Sequence, residues 1–166
     1  MAGIKSILPN CGLFRTTKAL PEHEAEIPAN TLVYFHNHSD SGLPVVIAPD
    51  HNIMNEWHFH GAGTPFRGLS WADSLVKMPD QGVYSLRKQL DFEGGSWPKG
   101  ALVQLGYNRQ GDAILFIAQK RAQRSENSLW FSDRGVPLSR DRLALLEPLS
   151  VFTEPLAEGG HATGTH

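Results

Sequence analysis

The sequence has a single cysteine, no long apolar run and no signal peptide. Cys11 is the only cysteine among the 166 residues, so no disulfide can form within one chain, which fits a reducing compartment. No segment reaches the roughly eighteen consecutive apolar residues of a membrane-spanning helix. The first residues also lack the apolar stretch that a secretion signal requires. We therefore predict a cytoplasmic protein with no membrane partner.

Catalytic and nucleotide-binding motifs are missing as well. The sequence contains no Gly-X-Ser-X-Gly elbow, no His-Glu-X-X-His pattern, no Walker loop and no Cys-X-X-Cys pair. Its formal net charge of −2 gives no support to a nucleic acid partner. These absences favour a binding or assembly protein over an enzyme.

What the sequence does contain is an internal repeat with an offset of about 70 residues. Residues 12–20 align with residues 82–90, and the same offset continues without a gap into the next apolar segment. After a two-residue insertion in the second copy, Phe59 aligns with Phe131. A long alignment that keeps apolar positions in phase indicates duplication. A duplication of this length predicts that the chain consists of two similar structural units.

The repeat divides the chain into four segments. We predict a leader, a first repeat, a second repeat and a disordered tail rich in Gly, Ala and Thr, at residues 1–11, 12–81, 82–156 and 157–166. Residues 12–81 carry four Lys/Arg against eight Asp/Glu, a net charge of −4, whereas residues 82–152 carry ten against seven, a net charge of +3. Opposite charges suit docking of the two halves, or head-to-tail contact between molecules.

Short β-type runs between turn residues predict an all-β fold. In each repeat a strand, a long loop, three meandering strands, a helical turn and a closing strand follow one another. The helical turns are predicted over residues 71–78 and 140–147. This order is typical of an SH3-like small barrel, so we predict two fused SH3-like barrels, closed by the strands that begin at Gly82 and Val151. The alternative is one larger β-barrel or sandwich formed by both repeats.

Histidines are concentrated in the first repeat. Six lie there and two lie in the predicted tail, whereas the second repeat has none. His36 and His38 form one His-X-His unit, and His58 and His60 form another. Because side chains alternate along a strand, both members of a unit share a face. Neutral imidazole is a common zinc ligand, so these four histidines are the candidate metal ligands.

The phase of the strands separates a predicted core from a predicted contact surface. Residues that are apolar at the same phase in both repeats are assigned to the core: Val33, Phe35, Trp57, Phe59, Val103, Leu105, Leu129 and Phe131. The alternating positions form an outer face for a protein partner or a second copy: Leu32, Tyr34, His36, His38, Glu56, His58 and His60. Trp130 replaces His58 in the second repeat and extends the candidate binding residues.

Strand spacing decides between two functional hypotheses. If a third strand separates the two His-X-His units, they lie about 9.5 Å apart, whereas zinc holds its ligand nitrogens at about 2 Å from the metal. The sequence therefore favours a non-enzymatic protein-binding or assembly module with no cofactor. The alternative is a zinc hydrolase, with the four histidines as ligands, Glu56 as general base and Tyr34 as transition-state donor.

Overall fold

The structure, a computed structural model, describes residues 8–120, 128–152 and 154. Over these residues the fold is all-β, which confirms that part of the prediction: antiparallel strands build two large sheets and two hairpins. Within the described part, no helix is both long and apolar enough to cross a membrane. The predicted tail lies outside the described residues, as do most of the predicted leader and part of the last strand predicted from Val151.

The elements follow one another in two series. In the described part of the first half they are β1 (Gly12–Arg15), β2 (Leu32–His36), β3 (Val45–Ile47), β4 (His51–Ile53), β5 (Glu56–His58), β6 (Thr64–Pro65), α1 (Leu69–Ala72) and β7 (Val76–Lys77). In the second half they are β8 (Gly82–Leu86), β9 (Leu90–Phe92), β10 (Gly95–Trp97), β11 (Leu102–Tyr107), β12 (Ala113–Gln119), β13 (Trp130–Phe131), β14 (Val136–Leu138), the 3₁₀ helix Arg140–Leu145 and β15 (Leu146–Pro148).

The two large sheets have corresponding strand orders. The first runs β6-β3-β2-β1-β7, and the second runs β13-β12-β11-β8-β15, with β14 also paired to β12. The helix α1 lies before β7 in the chain, and the 3₁₀ helix lies before β15. Among the described strands, no pairing closes either sheet into a barrel. Each sheet therefore keeps two edges.

The strands at two of these edges differ from the prediction. Gly82 opens β8, which pairs with β11 and β15 inside the second sheet, so it does not close the first. The first sheet ends at β7 instead. Val151 is not part of a strand, and the second sheet ends at β15. The edge strands β7 and β15 both come from the segment just after the helical turn of their half. Pairing of these segments with the sheet satisfies their backbone donors and acceptors.

The helical turns are also shorter than predicted. Of the segment 71–78, only its first residues belong to α1, because Val76 and Lys77 extend and pair with β1. The segment 140–147 forms a 3₁₀ helix that ends at Leu145, after which β15 begins. In the first segment Trp71, Leu75 and Met78 lie at i, i+4 and i+7, an apolar spacing that predicts a helix through Met78. Pairing with a neighbouring strand overrides that local preference.

The strands β1 and β2 lie between two apolar clusters. Phe14, Val33 and Phe35 pack in a cluster of the first half together with residues of α1. Leu13 and Leu32 point the other way and belong to a second cluster, which is formed mainly by the second half. Leu32 is 0% exposed, so its prediction as part of an outer contact surface is wrong. The second half covers that face of β2.

The predicted core is correct at the central strands and weaker at the edges. Val33, Phe35, Val103 and Leu105 are buried, whereas Trp57, Phe59 and Phe131 are half-buried. Leu129 is 53% exposed and does not belong to the core. It precedes β13, a two-residue edge strand that pairs only with β12. An edge position with one neighbouring strand leaves an apolar side chain in solvent even when its phase is right.

Candidate functional site

The structure separates the predicted histidines into two groups. The rings of His36 and His38 lie beside each other at the end of β2, with centroids 4.3 Å apart. His58 and His60 instead lie near His51, whose ring stacks on theirs at 5.0 and 5.1 Å. Among the described residues, two groups place three ligand atoms within 4.8 Å of one another: Cys11–His36–His38 and Asp50–His51–His60. Neither group contains all four predicted ligands.

The first group, which we name the Cys–His cluster, consists of Cys11, His36 and His38. Gly12 pairs with Phe35 across β1 and β2, so continuing the antiparallel register places Cys11 opposite His36. Cys11 Sγ lies 3.2 Å from His36 Nδ1. The cysteine and His36 are half-buried, and His38 is exposed. A thiol and two imidazoles therefore meet at the end of a rigid ladder.

Asn37 ties the Cys–His cluster together. Its backbone N–H donates to Cys11 Sγ over 3.3 Å, and the thiol donates to Asn37 Oδ1 over 3.3 Å. The same Oδ1 is in short contact with His38 Nδ1. Asn37 Nδ2 donates to the carbonyl oxygen of Pro9 over 3.4 Å, which anchors the side chain to the segment before β1. One residue thus orients two of the three potential ligands.

The second group, which we name the Asp–His cluster, consists of Asp50, His51 and His60, and the His58 ring stacks on His51 beside it. The imidazole Nδ1 atoms of His51 and His60 lie 2.9 and 3.2 Å from Asp50 Oδ2. Hydrogen bonds from these two histidines, His51 first, hold the pKa of the Asp50 carboxyl below its ordinary value. The rings of His51 and His60 are parallel within 3°. Because a nitrogen lone pair lies in its ring plane, parallel stacked rings do not direct their lone pairs at one ion.

An apolar groove lies where the β4–β5 hairpin meets the second sheet. It encloses about 590 Å³ and is lined by Met54, Asn55, Glu56, Gln104, Leu129, Trp130, Phe131 and Asp133. Met54 is 85% exposed and Trp130 is 44% exposed. Large apolar side chains that are exposed side by side, rather than singly, mark interaction surfaces. Two residues that the sequence predicts as binding residues, Glu56 and Trp130, therefore line one groove.

The hairpin tip that forms one wall of the groove is held on β11. Asn55 Nδ2 donates to Gln104 Oε1 over 3.1 Å, and Gln104 Nε2 donates to the Met54 carbonyl oxygen over 2.8 Å. Met54 and Asn55 have φ of 51° and 68°, as the two-residue turn of a tight hairpin requires. Gly106 permits the approach, since a Cβ there would lie 2.7 Å from the Asn55 carbonyl oxygen.

The residues of the hydrolase alternative are divided between separate places. Tyr34 and Glu56 line a second cavity of about 250 Å³, where the Tyr34 ring packs on Phe59 with centroids 5.9 Å apart. The lining of this cavity includes Leu13, Trp57, Asp80 and Gln81 but no histidine. The predicted base and donor are thus brought together, and the predicted metal ligands lie elsewhere.

Sequence reasoning missed three residues of these sites: Cys11, Asp50 and Met54. A lone cysteine indicates only that no disulfide forms within the chain, although antiparallel pairing of the first two strands places Cys11 opposite His36. Asp50 neighbours His51 in the sequence but gave no spacing signal toward His60. Met54 occupies a turn where Gly is the usual residue, so its sequence position did not indicate a hairpin tip.

No protein-family model matches the chain, and neither a curated protein nor a solved structure matches it.

Proposed function

We propose that this protein is a non-enzymatic assembly module whose copies associate head to tail. In the proposed contact, Phe152 of one copy occupies the groove beside Trp130 of the next. One observation carries the proposal: two exposed apolar features lie at opposite edges of one sheet. Trp130 belongs to β13 at one edge, and Val151 and Phe152 follow β15 at the other.

The exposure of the two features supports this contact. Phe152 is 90% exposed and Val151 is 70% exposed, whereas the groove offers Met54 and Trp130 as apolar walls. Burying an aromatic side chain of this kind contributes about 1.5–3 kcal/mol. Since a small interface gives limited affinity, we expect a dissociation constant between about 1 μM and 1 mM.

The geometry of the contact favours chains or rings over a closed pair. A groove that binds a different surface of the next copy leaves a second groove and a second segment available. The opposite net charges of residues 12–81 and 82–152 add a field that orients approaching copies. With one cysteine and a net charge of −2, we propose a cytoplasmic protein that contacts protein and not nucleic acid.

The fold interpretation that accompanies this function is duplication of an SH3-like unit, at residues 12–81 and 82–156. Its support is the corresponding order of strands in the two sheets and the helical turn before each last strand. The offset of 70 residues also places the start of β1 on the start of β8, and that of β2 on that of β11. The zinc hydrolase lacks such support, because the cavity of Glu56 and Tyr34 has no histidine in its lining.

A complementation experiment tests the head-to-tail contact. Trp130→Glu disables the groove and keeps the Phe152 segment, whereas Phe152→Glu disables the segment and keeps the groove. Analytical ultracentrifugation over a concentration series should show association of the unmodified protein and a monomer for each variant. An equimolar mixture of the two variants should form a dimer that does not grow further, since only one functional junction remains.

A matched control and two contrary results complete the test. Leu69→Glu places a charge at a residue of α1 that is 37% exposed and does not line the groove, and this variant should associate like the unmodified protein. A strict monomer at high concentration would exclude self-association. Association that persists in Phe152→Glu would mean that the groove contacts something other than this segment, and it would end the head-to-tail proposal.

A further inference from the structure

We infer that Cys11, His36 and His38 form a zinc-binding site. The ligand atoms would be Cys11 Sγ, His36 Nδ1 and His38 Nε2, and a fourth position would be open to water or to a ligand. This site is separate from the apolar groove and does not depend on the proposed assembly function. It also differs from the four-histidine site that the sequence suggested, because it includes a thiolate and omits His58 and His60.

The distances within the cluster suit a tetrahedral zinc ion. Zinc binds thiolate sulfur at about 2.3 Å and imidazole nitrogen at about 2.0–2.1 Å, which places the sulfur and a nitrogen about 3.5 Å apart. Cys11 Sγ and His36 Nδ1 are 3.2 Å apart, and one potential ligand atom from each of the three residues lies within 4.8 Å of the other two. Small side-chain rotations are therefore enough to bring them around one ion.

The backbone brings the three ligands to one side of the sheet. Cys11 faces His36 across the β1–β2 ladder, and His38 follows two positions later, which keeps it beside His36. Phe35, which directly precedes His36, is 0% exposed and holds this end of β2 in the core. The ligands thus come from a rigid ladder and its direct continuation, so binding costs little conformational entropy.

Asn37 supplies the outer contacts that zinc ligands require. Its backbone N–H donates to Cys11 Sγ, an arrangement that stabilises a thiolate. Its Oδ1 atom contacts His38 Nδ1, which holds the proton on that nitrogen and leaves the Nε2 lone pair for a metal. The thiol proton that is shared with Asn37 Oδ1 is released when the metal binds.

The composition of the cluster favours zinc over magnesium and calcium. One thiolate and two imidazoles are ligands of zinc, whereas magnesium and calcium require oxygen ligands. The Asp–His cluster is less suited, because the rings of His51 and His60 are parallel and both Nδ1 atoms face Asp50. It therefore provides a matched control with two histidines in an exposed cluster of the same half.

The test measures metal binding directly. Protein prepared without a histidine tag is exchanged into zinc-free buffer, loaded with ZnCl₂, desalted and assayed for bound metal. We expect one equivalent in the unmodified protein and in His51→Gln/His60→Gln, and none in Cys11→Ser or in His36→Gln/His38→Gln. Asn37→Ala keeps all three ligands and should weaken zinc affinity by about 10–100-fold.

Cobalt substitution identifies the sulfur ligand by its spectrum. With Co²⁺ in place of zinc, we expect a thiolate-to-cobalt charge-transfer band in the near ultraviolet that is missing in Cys11→Ser. Circular dichroism of each metal-free variant establishes that it is folded, so that lost binding reflects a lost ligand. The inference is wrong if the unmodified protein retains no zinc. It is also wrong if Cys11→Ser keeps one equivalent while His51→Gln/His60→Gln loses it.

Discussion

The indole Nε1 of Trp57 donates a hydrogen bond to the carbonyl oxygen of Tyr107 over 2.7 Å and so joins the hairpin of the first half to β11 of the second. The guanidinium of Arg109 lies over the Trp57 ring, 4.8 Å from its centroid. The Tyr107 hydroxyl forms a second link between the halves by donating to the Pro79 carbonyl oxygen over 2.7 Å. These contacts hold the two halves in one orientation, and that orientation forms the apolar groove.

Trp57→Phe tests the contribution of this hydrogen bond. The phenyl ring keeps most of the packing, but the Tyr107 carbonyl oxygen loses its donor in a partly buried place. We expect the free energy of unfolding to fall by about 1–3 kcal/mol. Urea denaturation followed by circular dichroism measures it. A loss below 0.5 kcal/mol, about the effect of an ordinary surface substitution, would show that water replaces the indole.

Phe35→Ala should be the most destabilising of these substitutions. Phe35 is 0% exposed and packs against Phe14 and Phe66, with ring centroids 5.8 and 6.1 Å away. Removing the ring leaves a cavity, so we expect a loss of about 3–5 kcal/mol in unfolding free energy. Met54→Ala, at a residue 85% exposed, is the control and should change stability by about 0.5 kcal/mol or less. Equal effects at the two positions would contradict the assignment of the core.

Gly106→Ala tests the close approach of the hairpin tip to β11. The new Cβ would lie 2.7 Å from the backbone carbonyl oxygen of Asn55, which a flexible side chain cannot relieve. We expect a loss of about 1–3 kcal/mol and a hairpin that moves away from the sheet. Gly68→Ala is the matched control, because nothing lies within 4 Å of a Cβ there. Thermal unfolding gives the melting temperatures of both variants, and similar values for the two would refute the close contact.

Tyr107 should make the stability of the protein depend on alkaline pH. Burial, with smaller effects from Tyr84 and Asp80, raises the pKa of the Tyr107 hydroxyl well above its ordinary value of 10.0. Above pH 10 the unfolded chain releases this proton while the folded chain retains it, so the free energy of unfolding falls as the pH rises. Thermal unfolding between pH 9 and pH 11.5, a range of roughly one unit either side of the ordinary pKa, measures how steeply the stability falls with pH.

Tyr107→Phe is the control for that pH dependence. It removes the titrating hydroxyl together with its hydrogen bond to Pro79, so it should lower stability at neutral pH and flatten the alkaline slope. Burial also raises the pKa of Tyr84, which leaves part of the slope in place. An unchanged slope in the variant would assign the alkaline effect to other groups.

Part of the core and of the fold class could be predicted because it depends on local patterns. Alternation with a period of two places Val33 and Phe35 on one face wherever β2 pairs, and the same holds for Val103 and Leu105 in β11. The same alternation failed for Leu32. Alternation predicts which side chains share a face, but it does not predict that the second half of the chain covers the face of Leu32.

The sequence by itself determined an all-β chain, the faces of its central strands and the pairing of His36 with His38, because backbone geometry makes each of these a property of neighbouring residues. Only the tertiary structure decided that Cys11 lies opposite His36, that His60 joins Asp50 and His51, and that Met54 and Trp130 line one groove. Those contacts depend on strand register and on the docking of the two halves. Both are set by burial of apolar surface between segments far apart in the chain, which no local pattern contains.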